Sequence, residues 1–350
     1  MTPLYEALER QFQKKRLLLH MPGHKGQLPS PFEGCSPFDL TELPETGNLY
    51  GNGGPISLCE EQFEHICQSG ATLLCAGGST LCVQSMLSLF CPVGSKVLMG
   101  RNCHVSAVNT AALLNLSPVW LMPDQRAGSL SHGRVTPDAV EKALLQSPDV
   151  SAVYLTSPDY FGVMCDIGRI SAVCRRHQKP LLVDNAHGAH LVFFGLHPIE
   201  LGADACCDSL HKTLPALTGA ALLHLKDRTL KEAAKHSMSI FGSSSPSYLI
   251  MLSADLLSGE LAAQKEPFLK LAQRVEAIKA LSEQKWGIDG LRDPVRISLS
   301  FAPDKLLDVK SLLDALSIEP EALLNGGIIL IPSPFQDLTP VDELATRLPT

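Results

Sequence analysis

The sequence predicts an α/β protein: a mostly parallel sheet of seven strands with helices on both faces, followed by a smaller α+β unit. Two observations predict it. Strand-sized apolar runs alternate with amphipathic, helix-like segments over roughly the first two thirds of the chain, as in a parallel sheet buried on both sides. That alternation stops near Asp227, and a different pattern takes over.

The strands are expected at 72–76, 96–99, 118–121, 152–156, 181–184, 204–208 and 219–225, and the helices between them at 57–69, 80–89, 104–116, 136–146 and 167–177. Thr136-Pro137-Asp138 opens one helix with an N-cap followed by proline at the first helical position. Beyond Asp227 the reading is a long helix over 246–283 with a break around Glu266-Pro267, a strand at 295–301, a helix at 305–316 and a strand at 327–331. Residues 342–350 read as the start of a further helix. Gly242-Ser243-Ser244-Ser245-Pro246 marks the expected boundary, giving a major domain over 1–241 and a smaller α+β domain over 242–350.

Composition narrows the function classes. The 350 residues are 45% hydrophobic and 19% charged, with 29 Lys+Arg against 36 Asp+Glu and a net charge of -7. That is enough apolar material for a sizeable core, and it leaves no basic excess for a phosphate backbone, so nucleic acid is not an expected partner. No apolar run approaches the ~20 residues of a membrane span. Leu17 to Leu19, after Lys14, Lys15 and Arg16, are cut off by His20-Met21-Pro22, too early for a signal sequence, and a cytoplasmic location is expected. The eleven cysteines are then reduced thiols, with Cys75, Cys206 and Cys207 acting as small core hydrophobes, and no C-x-x-C pair suggests a zinc knuckle or a redox motif.

Chemistry gathers at the carboxyl ends of the expected strands, where open α/β sheets bind ligands. Leu181-Leu182-Val183-Asp184 ends in a carboxylate, and Ser209-Leu210-His211-Lys212 follows the next strand. A strand-end Asp beside a Lys past the neighbouring strand suits pyridoxal phosphate: the amine carries the cofactor and the carboxylate pairs with its pyridinium nitrogen. Backbone N–H groups and hydroxyls at a helix start suit the phosphate, and Gly77-Gly78-Ser79-Thr80 supplies them, with Ser209 adding a hydroxyl.

The segments His20 through Gly26, Asp39 through Pro44, Gly78-Ser79-Thr80, Asp184 through Leu191 and Ser209 through Thr218 resemble the bacterial ornithine/lysine/arginine decarboxylases, a fold-type I group dependent on pyridoxal phosphate. The likeness extends roughly to Lys226. It implies that Lys212 carries the cofactor, Asp184 pairs with the pyridine nitrogen and His104 stacks on the ring. It further implies that Gly78, Ser79, Thr80 and Ser209 hold the phosphate and that His187 and His211 lie beside the ring, with His211 or Lys212 returning a proton to Cα. A homodimer or higher homo-oligomer acting on a small amino acid, and a role in polyamine metabolism, are implied as well. The sequence departs from the family at Gly77 (usually Asn), Cys82-Val83 (usually Gly-Asn), Asn185 (usually Glu) and Gly219 (usually Gln). The C-terminal region is shorter than the family pattern.

Plainer roles compete at each position. Lys212 alone would be a solvated lysine, Asp184 a helix cap and His104 a histidine at a helix start. His187 and His190 have the H-x-x-H spacing of metal ligands, but buried hydrogen-bonded histidines are commoner, and no metal is expected. Glu60, Glu61 and Glu64 read as a solvated helix face. Decarboxylation of arginine, lysine or ornithine is the expected activity. An aldolase, lyase or aminotransferase is the alternative, with Arg292 or Arg296 available to clamp the substrate carboxylate of an aminotransferase, and a non-catalytic paralogue that binds a full-length partner is a third reading.

Overall fold

The computed structural model describes residues 2–124, 133–281 and 291–349. Two helices precede the sheet, α1 (Pro3–Gln13) and α2 (Gly54–Cys67). Then follow β1 (Ala71–Cys75), α3 (Gly78–Phe90), β2 (Lys96–Gly100), α4 (Val105–Leu113), β3 (Ser117–Leu121), α5 (Pro137–Gln146), β4 (Val150–Thr156), α6 (Ile167–Arg176) and β5 (Leu181–Asp184). The sheet is completed by β6 (Ala205–Ser209), the single turn α7 (Leu210–Thr213) and β7 (Ala221–Leu225). The remaining elements are α8 (Lys231–Phe241), α9 (Tyr248–Leu281), β8 (Ile297–Ser300), α10 (Leu306–Ala315), β9 (Ala322–Leu324), β10 (Gly327–Leu330) and α11 (Thr339–Arg347).

The seven strands lie in the order β1-β7-β6-β5-β4-β2-β3, all parallel except β7, which runs against both neighbours. Side chains alternate strictly between faces. Leu73, Met99, Tyr154 and Cys207 share one apolar cluster with α3, α4 and α8, while Leu98, Leu155, Val183 and Cys206 share another with α5 and α6. Burial of both faces is the reason the strands read as continuous apolar runs. A third cluster joins α1, α2 and α9 to the antiparallel sheet β8-β10-β9 through Leu8, Phe63, Leu261, Ile297 and Ile328.

Local signals fix several ends. Thr136 Oγ1 accepts from the Ala139 N–H at 3.2 Å and starts α5 with Pro137, and Asp166 caps α6 in the same way at 3.0 Å from Arg169 N. Two expectations fail. Helix α9 runs unbroken through Pro267, because Phe268, Leu271 and Val275 continue the buried stripe set by Leu257 and Leu261, and their packing outweighs the one backbone bond that proline removes. Residues 282–283 of the expected helix lie outside the described residues. Glu60 and Glu64 are buried rather than solvated, since α8 packs beside α2 and presents Lys231 and Lys235 to them, while Glu61 is exposed. Residues 339–347 form a full helix, α11, three residues earlier than expected. Among the described residues, no helix is long and apolar enough to cross a membrane.

Candidate active site

Strands β5 and β6 are parallel neighbours, with Asp184 paired to Cys207 at their carboxyl ends. Asp184 is buried. Its Oδ2 accepts from the Tyr154 hydroxyl at 3.2 Å, and its Oδ1 accepts from Ala186 N–H at 3.1 Å and from the Cys207 thiol at 3.6 Å. Three donors thus hold the carboxylate in a fixed orientation. Burial, followed by the charge of Asp184, pushes the Cys207 thiol well up, so it stays a neutral donor.

Lys212 stands one turn beyond the end of β6, on α7. Its Nζ lies 3.1 Å from Nε2 of His187, and Nδ1 of that ring is 3.2 Å from Nη2 of Arg296. A guanidinium only donates, so His187 Nδ1 is the acceptor and Nε2 carries the hydrogen. That N–H points at an amine, which accepts only when neutral. Burial lowers the Lys212 pKa, with Arg296 adding to the effect and Asp184 opposing it. Burial is the main reason His187 stays neutral and its pKa is pushed down to about 2, and any positive charge at Lys212 or Arg296 acts in the same direction. Arg296, only 4% exposed, also donates to Tyr160 O at 3.3 Å, and the Tyr160 ring meets His187 edge to face at 5.8 Å.

The other expected residues frame this pair. His211 Nδ1 accepts from Gly219 N–H at 3.2 Å and lies 3.3 Å from Ser209 Oγ, leaving its Nε2 for other work. His104 caps α4, accepting from Ser106 N–H at 3.2 Å, with its ring exposed. At the start of α3, Gly78 has φ +69° and open space where a Cβ would stand, while its own N–H donates to Gly219 O at 2.8 Å. Thr80 lines an adjoining cavity of about 230 Å³ with Tyr50, Gln84, Ser243, Ser245 and Ser247, whereas Ser79 is not part of its wall. The H-x-x-H histidines separate: His190 Nε2 meets Asp293 Oδ1 at 2.9 Å in full burial, while His187 faces Lys212.

The departures at 77 and 185 have local causes. A Cβ on residue 77 would stand 2.8 Å from Leu81 Cδ2, so glycine suits the neighbouring leucine. Asn185 donates to Asp208 Oδ1 at 2.6 Å and so ties the β5 end to β6. Tyr154, Tyr160, Cys207 and the specific role of Arg296 were not singled out by sequence reasoning. Tyr154 and Cys207 look like ordinary core residues in the pattern, and Arg296 reaches the site because the 291–296 segment docks there, with Asp293 N–H on Gly162 O at 2.9 Å, Met164 N–H on Leu291 O at 3.0 Å and Asp293 against His190.

A pyridoxal phosphate fits these residues: an amine whose charge burial disfavours, a buried carboxylate with three donors and an open glycine at a helix start. The model of the Orn/Lys/Arg decarboxylase major domain matches residues 2–291. The chain belongs to that family. It is 31% identical over 352 residues to the uncharacterized protein YaaO of Bacillus subtilis, covering 94% of this chain and 73% of that protein. An arginine decarboxylase of the same organism is 28% identical over 376 residues, covering 99% and 76% respectively. The solved Escherichia coli constitutive lysine decarboxylase superposes with TM-score 0.81 at 20% identity, over 97% of this chain and 59% of that one. An aspartate aminotransferase from Thermus thermophilus gives 0.66 at 14% identity over 83% and 88%. These likenesses show the fold, the fold-type I arrangement expected from the sequence.

Proposed function

We propose that the protein decarboxylates a basic amino acid, arginine, lysine or ornithine, with pyridoxal phosphate held by Lys212. The observation that carries this reading is the hydrogen-bond line from Arg296 through His187 to Lys212, which favours an uncharged lysine beside the buried carboxylate of Asp184. A neutral amine is the nucleophile that attaches such a cofactor.

When bound, pyridoxal phosphate supplies an electron sink for the pair released as the substrate carboxylate leaves as carbon dioxide. Asp184, fixed by Tyr154, Ala186 and Cys207, offers a carboxylate for the pyridinium nitrogen. Ser79, Thr80 and Ser209 offer donors for the phosphate beside the open side of Gly78, and the exposed ring of His104 offers a face for stacking. His211 and Lys212 can return a proton to Cα, since His211 Nε2 is not taken by the contacts that hold its Nδ1. The reading carries with it a homodimer in the cytoplasm.

Arg296 favours one second reading, a lyase or aminotransferase of the same fold, because a buried arginine one histidine away from the lysine can hold a substrate carboxylate. The test is the visible spectrum of the full chain with pyridoxal phosphate, wild type and Lys212→Ala, followed by arginine, lysine and ornithine in turn with carbon dioxide measured. A cofactor band lost in Lys212→Ala, and carbon dioxide released from one of the three, is expected. A band with amino transfer but no carbon dioxide establishes the second reading, and no band at all overturns both.

A further inference from the structure

Five side chains of metal-ligand type meet in a fully buried cluster that the proposed reaction does not use. Asp208 Oδ2, on β6, lies 3.1 Å from Nε2 of His197 and 3.3 Å from Nε2 of His224 on β7. Ligand atoms of Cys67, His197 and His224 all fall within 4.8 Å of one another, and so do those of His197, Cys206 and Asp208. Cys67 is the last residue of α2, and His197 comes from the turn after the short helical segment Ala189–Phe194. The two groups share His197, and Asp208 faces His224 as well, so four parts of the fold contribute to adjoining ligand groups.

The arrangement is not explained by hydrogen bonding alone. His224 Nε2 is completely buried and lies 3.3 Å from Asp208 Oδ2, with an alignment too poor for a well-formed hydrogen bond. Its other nitrogen is engaged, 2.9 Å from Thr72 Oγ1, which is 2.8 Å from Ser69 Oγ. An imidazole oriented through one nitrogen by a hydroxyl, with the second nitrogen bare and facing a carboxylate, is the posture of a metal ligand. Charge points the same way. A thiolate, a carboxylate and two neutral imidazoles around a divalent cation sum to zero, whereas the carboxylate alone is a net charge in an apolar interior.

We propose that Cys67, His197, His224 and Asp208 bind one zinc ion that clips α2 and the 189–200 segment to the β6–β7 pair. The donor set, one sulfur, two nitrogens and one oxygen, is of the borderline kind zinc takes in closed tetrahedral sites. Tetrahedral zinc spaces its ligands roughly 3.3 to 3.8 Å apart, so Asp208 and the two histidines are nearly in place and Cys67 closes by a rotamer change or a small shift. Cys206, 3.9 Å from His197 Nε2 and grouped with Asp208, is the competing sulfur, and the Cys67→Ser variant distinguishes the two. The ion lies one residue from the proposed cofactor site, since Asn185 bonds Asp208 directly. It departs from the sequence expectation of a metal-free chain and does not depend on the proposed reaction.

The experiment is zinc content and zinc X-ray absorption on the full chain, as isolated and after refolding with stoichiometric zinc, for wild type, Cys67→Ser and Cys174→Ser. Cys174 is a buried thiol on α6 that belongs to neither ligand group. About one zinc per chain is expected, with a shell of one sulfur at roughly 2.3 Å and three nitrogen or oxygen neighbours at roughly 2.0 to 2.2 Å. Cys67→Ser should lose the sulfur and at least tenfold in affinity, and Cys174→Ser should change neither. If Cys67→Ser does not fold, the wild-type shell decides. Wild-type protein that takes up no zinc under either condition, a shell without exactly one sulfur, or a sulfur signal unchanged in Cys67→Ser overturns the proposal.

Discussion

His187 stands between Lys212 and Arg296, with Nε2 3.1 Å from the amine and Nδ1 3.2 Å from the guanidinium. The positive charge of Arg296 and the burial of the amine both disfavour protonated Lys212. Arg296→Met removes the charge and frees His187 to take its other tautomer, so the Lys212 pKa rises and the pH at which the amine reacts moves upward. The rate of pyridoxal phosphate attachment at neutral pH should then fall about tenfold or more, the scale of one lost charge-assisted hydrogen bond. Stopped-flow absorbance against pH checks it. A rate profile superimposable on that of the wild type would show that Arg296 has no hold on the lysine.

The same imidazole sets a pH dependence of stability. Its folded pKa of about 2 lies below the ordinary value of 6.5, so at acid pH the unfolded chain binds a proton that the native site refuses. Stability is therefore full above about pH 6.5 and declines as pH falls from there toward 2, by roughly 1.4 kcal/mol per unit for this group. His187→Asn has no such group. Its denaturation midpoint should differ from that of the wild type by a constant above pH 7, and the gap should shift in the variant's favour at pH 5. Parallel curves across that range would contradict the assignment.

Gly188 marks where the chain turns from Asp184 toward the site. A Cβ there would stand 2.1 Å from Asn185 Oδ1 and 2.7 Å from both Leu191 Cδ1 and Pro158 Cδ. No rotamer of a flexible chain end relieves all three, because Asn185 is pinned to Asp208. Gly188→Ala should cost about 1 to 3 kcal/mol by overpacking, read as a lowered melting temperature. It should also weaken pyridoxal phosphate binding, since the same displacement moves Asp184.

These residues also show how much was legible in the sequence. All seven strands of the main sheet and the placement of Asp184 and Lys212 on neighbouring strand ends follow from short-range patterning, which two-sided burial writes as apolar runs. What the pattern does not carry is partnership across the fold. Arg296 is 84 residues from Lys212 and meets it only through docking of the 291–296 segment. Glu60 and Glu64 have the spacing of a solvated helix face, and nothing local reveals that α8 covers them. Pro267 signals a break that tertiary packing overrides. The short edge strand β9, Ala322–Leu324, carries too few residues for any alternation to register.

The buried carboxylate of Glu60 gives the sharpest stability prediction. It accepts from Leu74 N–H at 3.2 Å and meets Lys235 at 3.2 Å and Lys231 at 3.3 Å, while Lys235 also donates to Gly51 O at 2.6 Å. Burial raises the Glu60 pKa, and the two lysines counter it. Lys235→Met keeps the packing volume but strips a nearly inaccessible charge of its partner and leaves the Gly51 carbonyl without its donor. Breaking one side of a buried pair costs about 3 to 5 kcal/mol, here reduced to the lower end because Lys231 still reaches Glu60. Adding Glu60→Gln removes the stranded charge while keeping an oxygen for Leu74 N–H, so the double variant should recover part of the loss. Urea denaturation of the wild type, both single variants and the double variant measures this as a coupling energy. Strictly additive losses would mean that solvent already screens the pair and that Glu60 is held by the Leu74 bond alone.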